Sequence, residues 1–180
     1  MPSASMRSRP RLRRAVDTDV QPSSEMRPFV LGAGEGARLR NPTSDVVLKL
    51  READCGHATN VFEIEVAPGQ GPPLHFHEAH AEWLYVLGGE FRFRIDDEVA
   101  AGDTGAFVFL PRHVQHTWQS VGEGPGRLLG AFVPPALERF FERFATIEKE
   151  EASVEDFTTL AKEDGMIVVG PPLAESHPLT

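Results

Sequence analysis

Three short runs of the chain alternate apolar and polar residues one for one. Val46, Leu48 and Leu50 interleave with Val47, Lys49 and Arg51. Phe62, Ile64 and Val66 interleave with Glu63 and Glu65, and Phe91, Phe93 and Ile95 with Arg92 and Arg94. A period of two belongs to a strand with one buried and one solvated face. Turn signals separate the runs: Ala67-Pro68-Gly69, Gly88-Gly89, Asp96-Asp97 and Gly122-Glu123-Gly124-Pro125. Short strands at this spacing, from Phe29 onward, predict an all-β antiparallel sandwich or barrel. Fifteen Pro and 16 Gly in 180 residues favour such a turn-rich fold over a helical bundle.

The pattern changes after Pro134-Pro135. Leu137, Phe140, Phe141 and Phe144 stand at i, i+3, i+4 and i+7, an amphipathic helix with Glu138, Arg139, Glu142 and Arg143 outside. Ser153 and Asp156 form a capping start for a second helix carrying Val154, Phe157, Leu160 and Ala161. Gly165 ends it, and a short apolar run, Met166 to Val169, precedes Gly170-Pro171-Pro172. These helices either pack along one side of the barrel or form a lid over its mouth. The expected organisation is a barrel over residues 26–134, with its central part at 61–133, and a C-terminal segment, 135–180, of helices and a strand covering it.

Charge narrows the function. The chain carries −9 at pH 7, which argues against nucleic acid as a partner. Residues 1–25 differ from the rest: Arg7, Arg9, Arg11, Arg13 and Arg14 outnumber Asp17, Asp19 and Glu25. With no apolar periodicity, they read as a disordered basic arm. Arg13-Arg14 lacks the apolar stretch of an export signal, and Met1 and Met26 both remain as starts. No run reaches the roughly 18 apolar residues of a membrane helix, so no membrane partner is expected. A single cysteine, Cys55, excludes an internal disulfide framework and fits the cytoplasm.

Five of the seven histidines fall between His75 and His116. His75 and His77 are two apart, so on a strand both point to one face. Glu82 follows after a tight-turn interval, and His116 lies on a later strand beyond the turn at Pro111. Three imidazoles and a carboxylate facing into a barrel would make a nitrogen/oxygen site for a first-row divalent metal. On a six-coordinate ion they leave two positions for water, substrate or dioxygen.

Here the sequence resembles the cupins. Their first motif runs glycine, five residues, His-x-His, three or four residues, glutamate, six residues, glycine; Gly69, His75, His77, Glu82 and Gly89 meet every spacing. In the second motif Gly105, Pro111 and His116 match, while His113 replaces an inner glycine and Ser120 a final asparagine. The fifteen residues between the motifs, Glu90 to Thr104, suffice for a two-stranded hairpin. The resemblance implies a double-stranded β-helix, the cupin or jelly-roll barrel. It implies one divalent metal (Fe, Mn, Ni, Co, Cu or Zn) on His75, His77, Glu82 and His116. The C-terminal segment is similar to that of small bacterial single-domain cupins, some related to quercetin dioxygenases, and a homodimer is compatible with the family.

Other candidates have plainer readings. His80, in the turn between His77 and Glu82, is off the strand register and is expected at the rim or in solvent. His113 is expected to serve its turn, with substrate contact as the other reading. Cys55-Gly56-His57 has no partner cluster, and Gly32-Ala33-Gly34-Glu35-Gly36 lacks the helix of a phosphate-binding loop.

Parity extends the site. If His116 points inward, so does Trp118; if Glu82 does, so does Leu84; and Phe91 and Phe93 continue an inward face. These four residues are the expected pocket wall, suited to an apolar or aromatic small-molecule substrate. No Arg-, Lys- or Asn-rich inward face suggests a sugar. The expected function is a metal-dependent dioxygenase of quercetinase-like type, with dioxygen as co-substrate and Glu82 as catalytic base. A metal-dependent isomerase or cyclase, and a non-catalytic small-molecule binder, are the alternatives.

Overall fold

A computed structural model describes residues 26–42, 44–148 and 151–179. The basic arm expected at 1–25 lies outside the described residues. The period-two runs form strands as the alternation requires. In chain order these are β1 (Ala37–Arg40), β2 (Ser44–Leu50), β3 (Asn60–Val66), β4 (Pro73–His77), β5 (Ala81–Gly88), β6 (Glu90–Ile95), β7 (Glu98–Asp103), β8 (Phe107–Leu110), β9 (His116–Ser120) and β10 (Gly126–Val133), joined near the C-terminus by β11 (Met166–Pro172). Two antiparallel sheets face each other, ordered β1-β2-β3-β10-β5-β8 and β11-β4-β9-β6-β7. The fold is all-β, a double-stranded β-helix with a C-terminal helical segment.

One face of each central strand fills the space between the sheets. Phe62, Val66, Leu84, Val86, Phe91 and Leu128 are buried there, and each such side chain stabilises the fold by roughly 1.5–3 kcal/mol. Phe62 stacks on Phe132 with ring centroids 4.9 Å apart. Val47 departs from the alternation: it is buried although it shares a face with Lys49, because the backbone at Gly36 packs against its side chain.

The C-terminal segment does more than cover the barrel. α1 (Glu138–Phe144) buries Leu137, Phe140, Phe141 and Phe144, the four positions its spacing marks. α2 (Val154–Glu163) starts with the expected capping box, in which Asp156 N donates to Ser153 Oγ at 3.1 Å and Ser153 N to Asp156 Oδ2 at 3.0 Å. Val154 itself is exposed; only Phe157, Leu160 and Ala161 reach the core. The run after Gly165 is β11, an edge strand of the barrel: it pairs with β4, Met166 opposite His77 and Val168 opposite His75. The expected boundary at residue 134 therefore does not separate barrel from cover. A last turn, α3 (Leu173–Ser176), buries Leu173.

Polar contacts fix the helices. The Asn60 side chain, at the start of β3, donates to Ala136 O at 2.8 Å and accepts from Ala136 N at 3.4 Å. Glu52 N donates to Glu138 Oε1 at 2.6 Å, and Arg51 pairs with Glu138 and Glu142.

At Gly71 the chain passes so close to β9 that a Cβ would lie 1.8 Å from Trp118 O. A backbone carbonyl in a sheet cannot yield, so Gly71→Ala should destabilise the protein by about 2–3 kcal/mol. Gly124 has open space and no positive φ. Gly124→Ala should leave the midpoint of thermal unfolding nearly unchanged, and equal effects of the two variants would contradict this packing.

Candidate metal centre

The two sheets divide the donors between them. His75 and His77 occupy alternate positions of β4, and His116 stands on β9 directly opposite His75. Glu82 comes from β5 in the other sheet, opposite Phe132 of β10. One ligand atom from each of the four lies within 4.8 Å of the others, and all four residues are buried. Among the described residues no other group of three or more His, Cys, Asp or Glu gathers in this way.

Hydrogen bonds set the tautomers. His75 Nδ1 lies 2.8 Å from Pro73 O and His116 Nδ1 2.9 Å from Val114 O. A carbonyl only accepts, so in the neutral ring each Nδ1 carries the proton and each Nε2 keeps its lone pair. Backbone carbonyls thus orient both rings for ligation. Glu82 Oε2 sits 3.2 Å from His77 Nε2 and 3.3 Å from His116 Nε2. At His116 a lone pair faces a carboxylate oxygen, and that nitrogen is buried without a hydrogen-bond partner. A proton or a cation between them removes the repulsion. The donors fit a divalent transition metal, three imidazole nitrogens and one carboxylate oxygen in an enclosed place.

Electrostatics agree with ligation. Burial, reinforced by His116 and His77, holds His75 well below the ordinary histidine range, and burial lowers His77 too. Burial alone would raise Glu82, but the His116 and His77 imidazoles beside it, His77 within hydrogen-bond distance, outweigh it and hold the carboxyl far below its usual range. Neutral imidazoles beside a charged carboxylate are the protonation states a metal requires.

The remaining sequence candidates fall elsewhere. His80 is a correction: expected at the rim or in solvent, it is buried, its ring 4.3 Å from that of His77 and 5.0 Å from Phe132. The turn into β11 closes over this loop, with Glu78 N donating to Gly165 O at 3.1 Å, and no local pattern could show so distant a contact. Burial, then His77, brings His80 down to about 4, yet it is not one of the four gathered donors. His113 is exposed and holds its turn at φ 65°, the left-handed region that explains glycine in the family pattern; its N–H donates to His77 O at 2.9 Å. Cys55 Sγ lies 3.0 Å from Thr59 O, and His57 3.6 Å from Glu52, outside any donor group. In the glycine-rich stretch, Glu35 Oε2 accepts from Gly32 N at 2.6 Å, filling one of the amides an anion would need.

An apolar cavity adjoins the cluster and reaches His75, His77 and Glu82. Its volume is about 80 Å³, and it opens to solvent on one side. Trp118 lines it as expected. Leu84, Phe91 and Phe93 do not: they point between the sheets but pack as core, against neighbours such as Trp118, whose ring is 6.1 Å from Phe91. Phe140, Phe141 and Phe144 of α1, with Phe157 of α2 and Phe62 of β3, supply the wall instead. The apolar spacing of α1 was the visible signal; which cavity it would face was not.

Known proteins compare as follows. A family model described as a cupin domain matches residues 62–132. Protein SchB of Streptomyces halstedii is 32% identical over 115 residues, which is 63% of this chain and 83% of that protein. Quercetin 2,3-dioxygenase of Bacillus subtilis (strain 168) is 27% identical over 116 residues, 63% of this chain and 34% of the enzyme, so the chain spans about a third of that relative. The polyketide cyclase RemF from Streptomyces resistomycificus superposes with a TM-score of 0.50 and 23% identity over 60% of this chain and 80% of that one, a likeness of fold.

Two outcomes test the centre. His116→Ala should abolish tight metal binding, because neither histidine of β4 can replace a donor from β9, whereas His80→Ala should leave metal content by elemental analysis unchanged. In metal-free protein, folded His75, His77 and His80 titrate below the unfolded value of about 6.5. The unfolded state then binds more protons, so stability is full above that pH and is lost as pH falls from about 6.5 toward 4. Below about 4.5 the stability contributed by charged Glu82 begins to go as well. A melting temperature flat between pH 7 and 4.5 would contradict this burial.

Proposed function

The chain belongs to the cupin superfamily, and on that premise we propose that it is a metal-dependent dioxygenase acting on an aromatic or enolisable small molecule. One observation carries the reading: the three-histidine, one-carboxylate cluster opens onto a cavity walled by aromatic rings. The sequence likeness to quercetin 2,3-dioxygenase supports it. Small apolar sites with a few placed polar groups suit organic substrates of this kind.

When bound, the metal would supply Lewis acidity toward a substrate oxygen and, if redox-active, one-electron chemistry with dioxygen. The protein's residues do the rest. His75, His77 and His116 fix the ion, with carbonyls behind His75 and His116 holding those rings in place. The rings of α1 and α2 exclude water and hold a flat molecule beside the cluster. Glu82, the one carboxylate among the donors and charged at neutral pH, accepts the substrate's hydroxyl proton. The substrate takes up both atoms of dioxygen and supplies all the electrons, so no outside reductant is consumed.

The experiment is oxygen uptake by metal-loaded protein with flavonols, catechols and 1,3-diketones. Uptake in proportion to product supports the reading. Turnover without uptake would point to isomerisation or cyclisation, and binding without turnover to a non-catalytic role. With a substrate found, Glu82→Gln should keep most of its metal and lose turnover by about 10²- to 10⁴-fold, the usual contribution of general acid–base catalysis. An unchanged rate would remove Glu82 as the base.

A further inference from the structure

The cavity has a second polar feature, at the end away from the metal donors. Asn41 and Ser44, in the turn between β1 and β2, both line it. Their backbones close the turn, Asn41 N donating to Ser44 O at 3.0 Å and Ser44 N to Asn41 O at 3.4 Å. The Asn41 side chain is therefore not needed to hold that turn. Its Oδ1 is nevertheless buried and accepts no hydrogen bond among the described residues. A buried carbonyl oxygen left this way is costly, and in a mostly apolar wall that cost calls for a partner.

Strand register locates this atom relative to the metal. Phe132 lies opposite both Glu82 and Asn60, which puts the start of β3 at the metal end. Ser44 lies opposite Val66, at the other end of β3. Phe62, Ile64 and Val66 all line the cavity between them, so this wall runs four residues, roughly 13 Å at 3.3 Å per residue. The facing wall runs the same length, from His75 back to Gly71. The cavity is a slot with metal donors at one end and the Asn41 amide at the other.

We propose that Asn41 is a specificity-determining residue whose Oδ1 accepts a hydrogen bond from a hydroxyl or N–H group at the far end of the substrate. This rests on the reading of the cavity as a site for an aromatic substrate, and it narrows the class. The substrate is an elongated aromatic molecule with a metal-binding oxygen at one end and a hydrogen-bond donor at the other. Such a donor gains a bond the protein cannot make internally, and an analogue lacking it leaves Oδ1 unpaired, the condition under which polar discrimination is strong.

Galangin and kaempferol test this. They share the 3-hydroxy-4-keto group that binds metals and the hydroxyls of the fused ring, and differ by one hydroxyl at the tip of the other ring. Metal-loaded wild type should bind kaempferol about tenfold more tightly than galangin, by calorimetric titration. Asn41→Leu should abolish that preference, with galangin affinity and metal content within twofold of wild type. The melting temperature of the ligand-free variant should be unchanged or raised, since no internal hydrogen bond is lost. Equal preference in wild type and variant, no preference in wild type, or a fall in melting temperature of more than about 5 °C would overturn the assignment, the last by showing a structural role. Those outcomes leave the dioxygenase reading standing. Binding of neither flavonol by metal-loaded wild type would instead overturn the aromatic-substrate reading, and this assignment with it.

Discussion

In its neutral form His116 presents a lone pair to the Glu82 carboxylate across 3.3 Å, in a buried place. Much of the structure bears on that contact. His116 cannot turn its proton inward, because Val114 O already holds it on the other nitrogen. Without a substrate Glu82 stays charged, because His77, its Nε2 3.2 Å away, favours that form. Neither can move toward water, since each belongs to a central strand, one in each sheet. Such an arrangement favours a positive charge, which a divalent ion would supply while engaging His75 and His77 as well.

The barrel makes this concentration of polar groups tolerable by surrounding it with apolar ones. His77 and His80 both set their rings edge-on to Phe132, and Phe132 stacks on Phe62, which meets Phe141 of α1 at 5.5 Å. The metal donors and the helical segment thus share one continuous aromatic layer. Asn60 bonds Ala136, and β11 pairs with the very strand that carries His75 and His77, so the C-terminal residues belong to the centre as much as the motif residues do. Loss of α1 would remove a cavity wall and uncover the core beneath it.

The strands from β2 onward were largely legible because a period of two has one physical meaning: residues i and i+2 share a face. The same rule put His75 and His77 on one face, and the resemblance to the cupin motifs added Glu82 and His116 to the cluster. The helix at Leu137–Phe144 and the Ser153 cap were legible for an equally local reason. Parity could say only that Leu84, Phe91 and Phe93 point between the sheets. Whether an inward side chain meets core or cavity depends on where the opposing elements stop, which is a property of the packed barrel. His80 and Val47 read as solvent-facing for the same reason: each is covered by chain whose approach leaves no mark on its neighbours in sequence.

By itself, then, the sequence determined the strand-rich fold and the four residues of the cluster, because alternation and motif spacing act over a few residues. Only the tertiary structure decided what surrounds the donors. It drew the cavity wall from helices more than fifty residues downstream of Glu82 and made β11 the neighbour of β4. It also buried Asn41 Oδ1, with no hydrogen-bond partner among the described residues, at the far end of the slot. Those choices depend on contacts between segments distant in the chain, which form only when the two sheets close on each other and local residue pattern does not encode them.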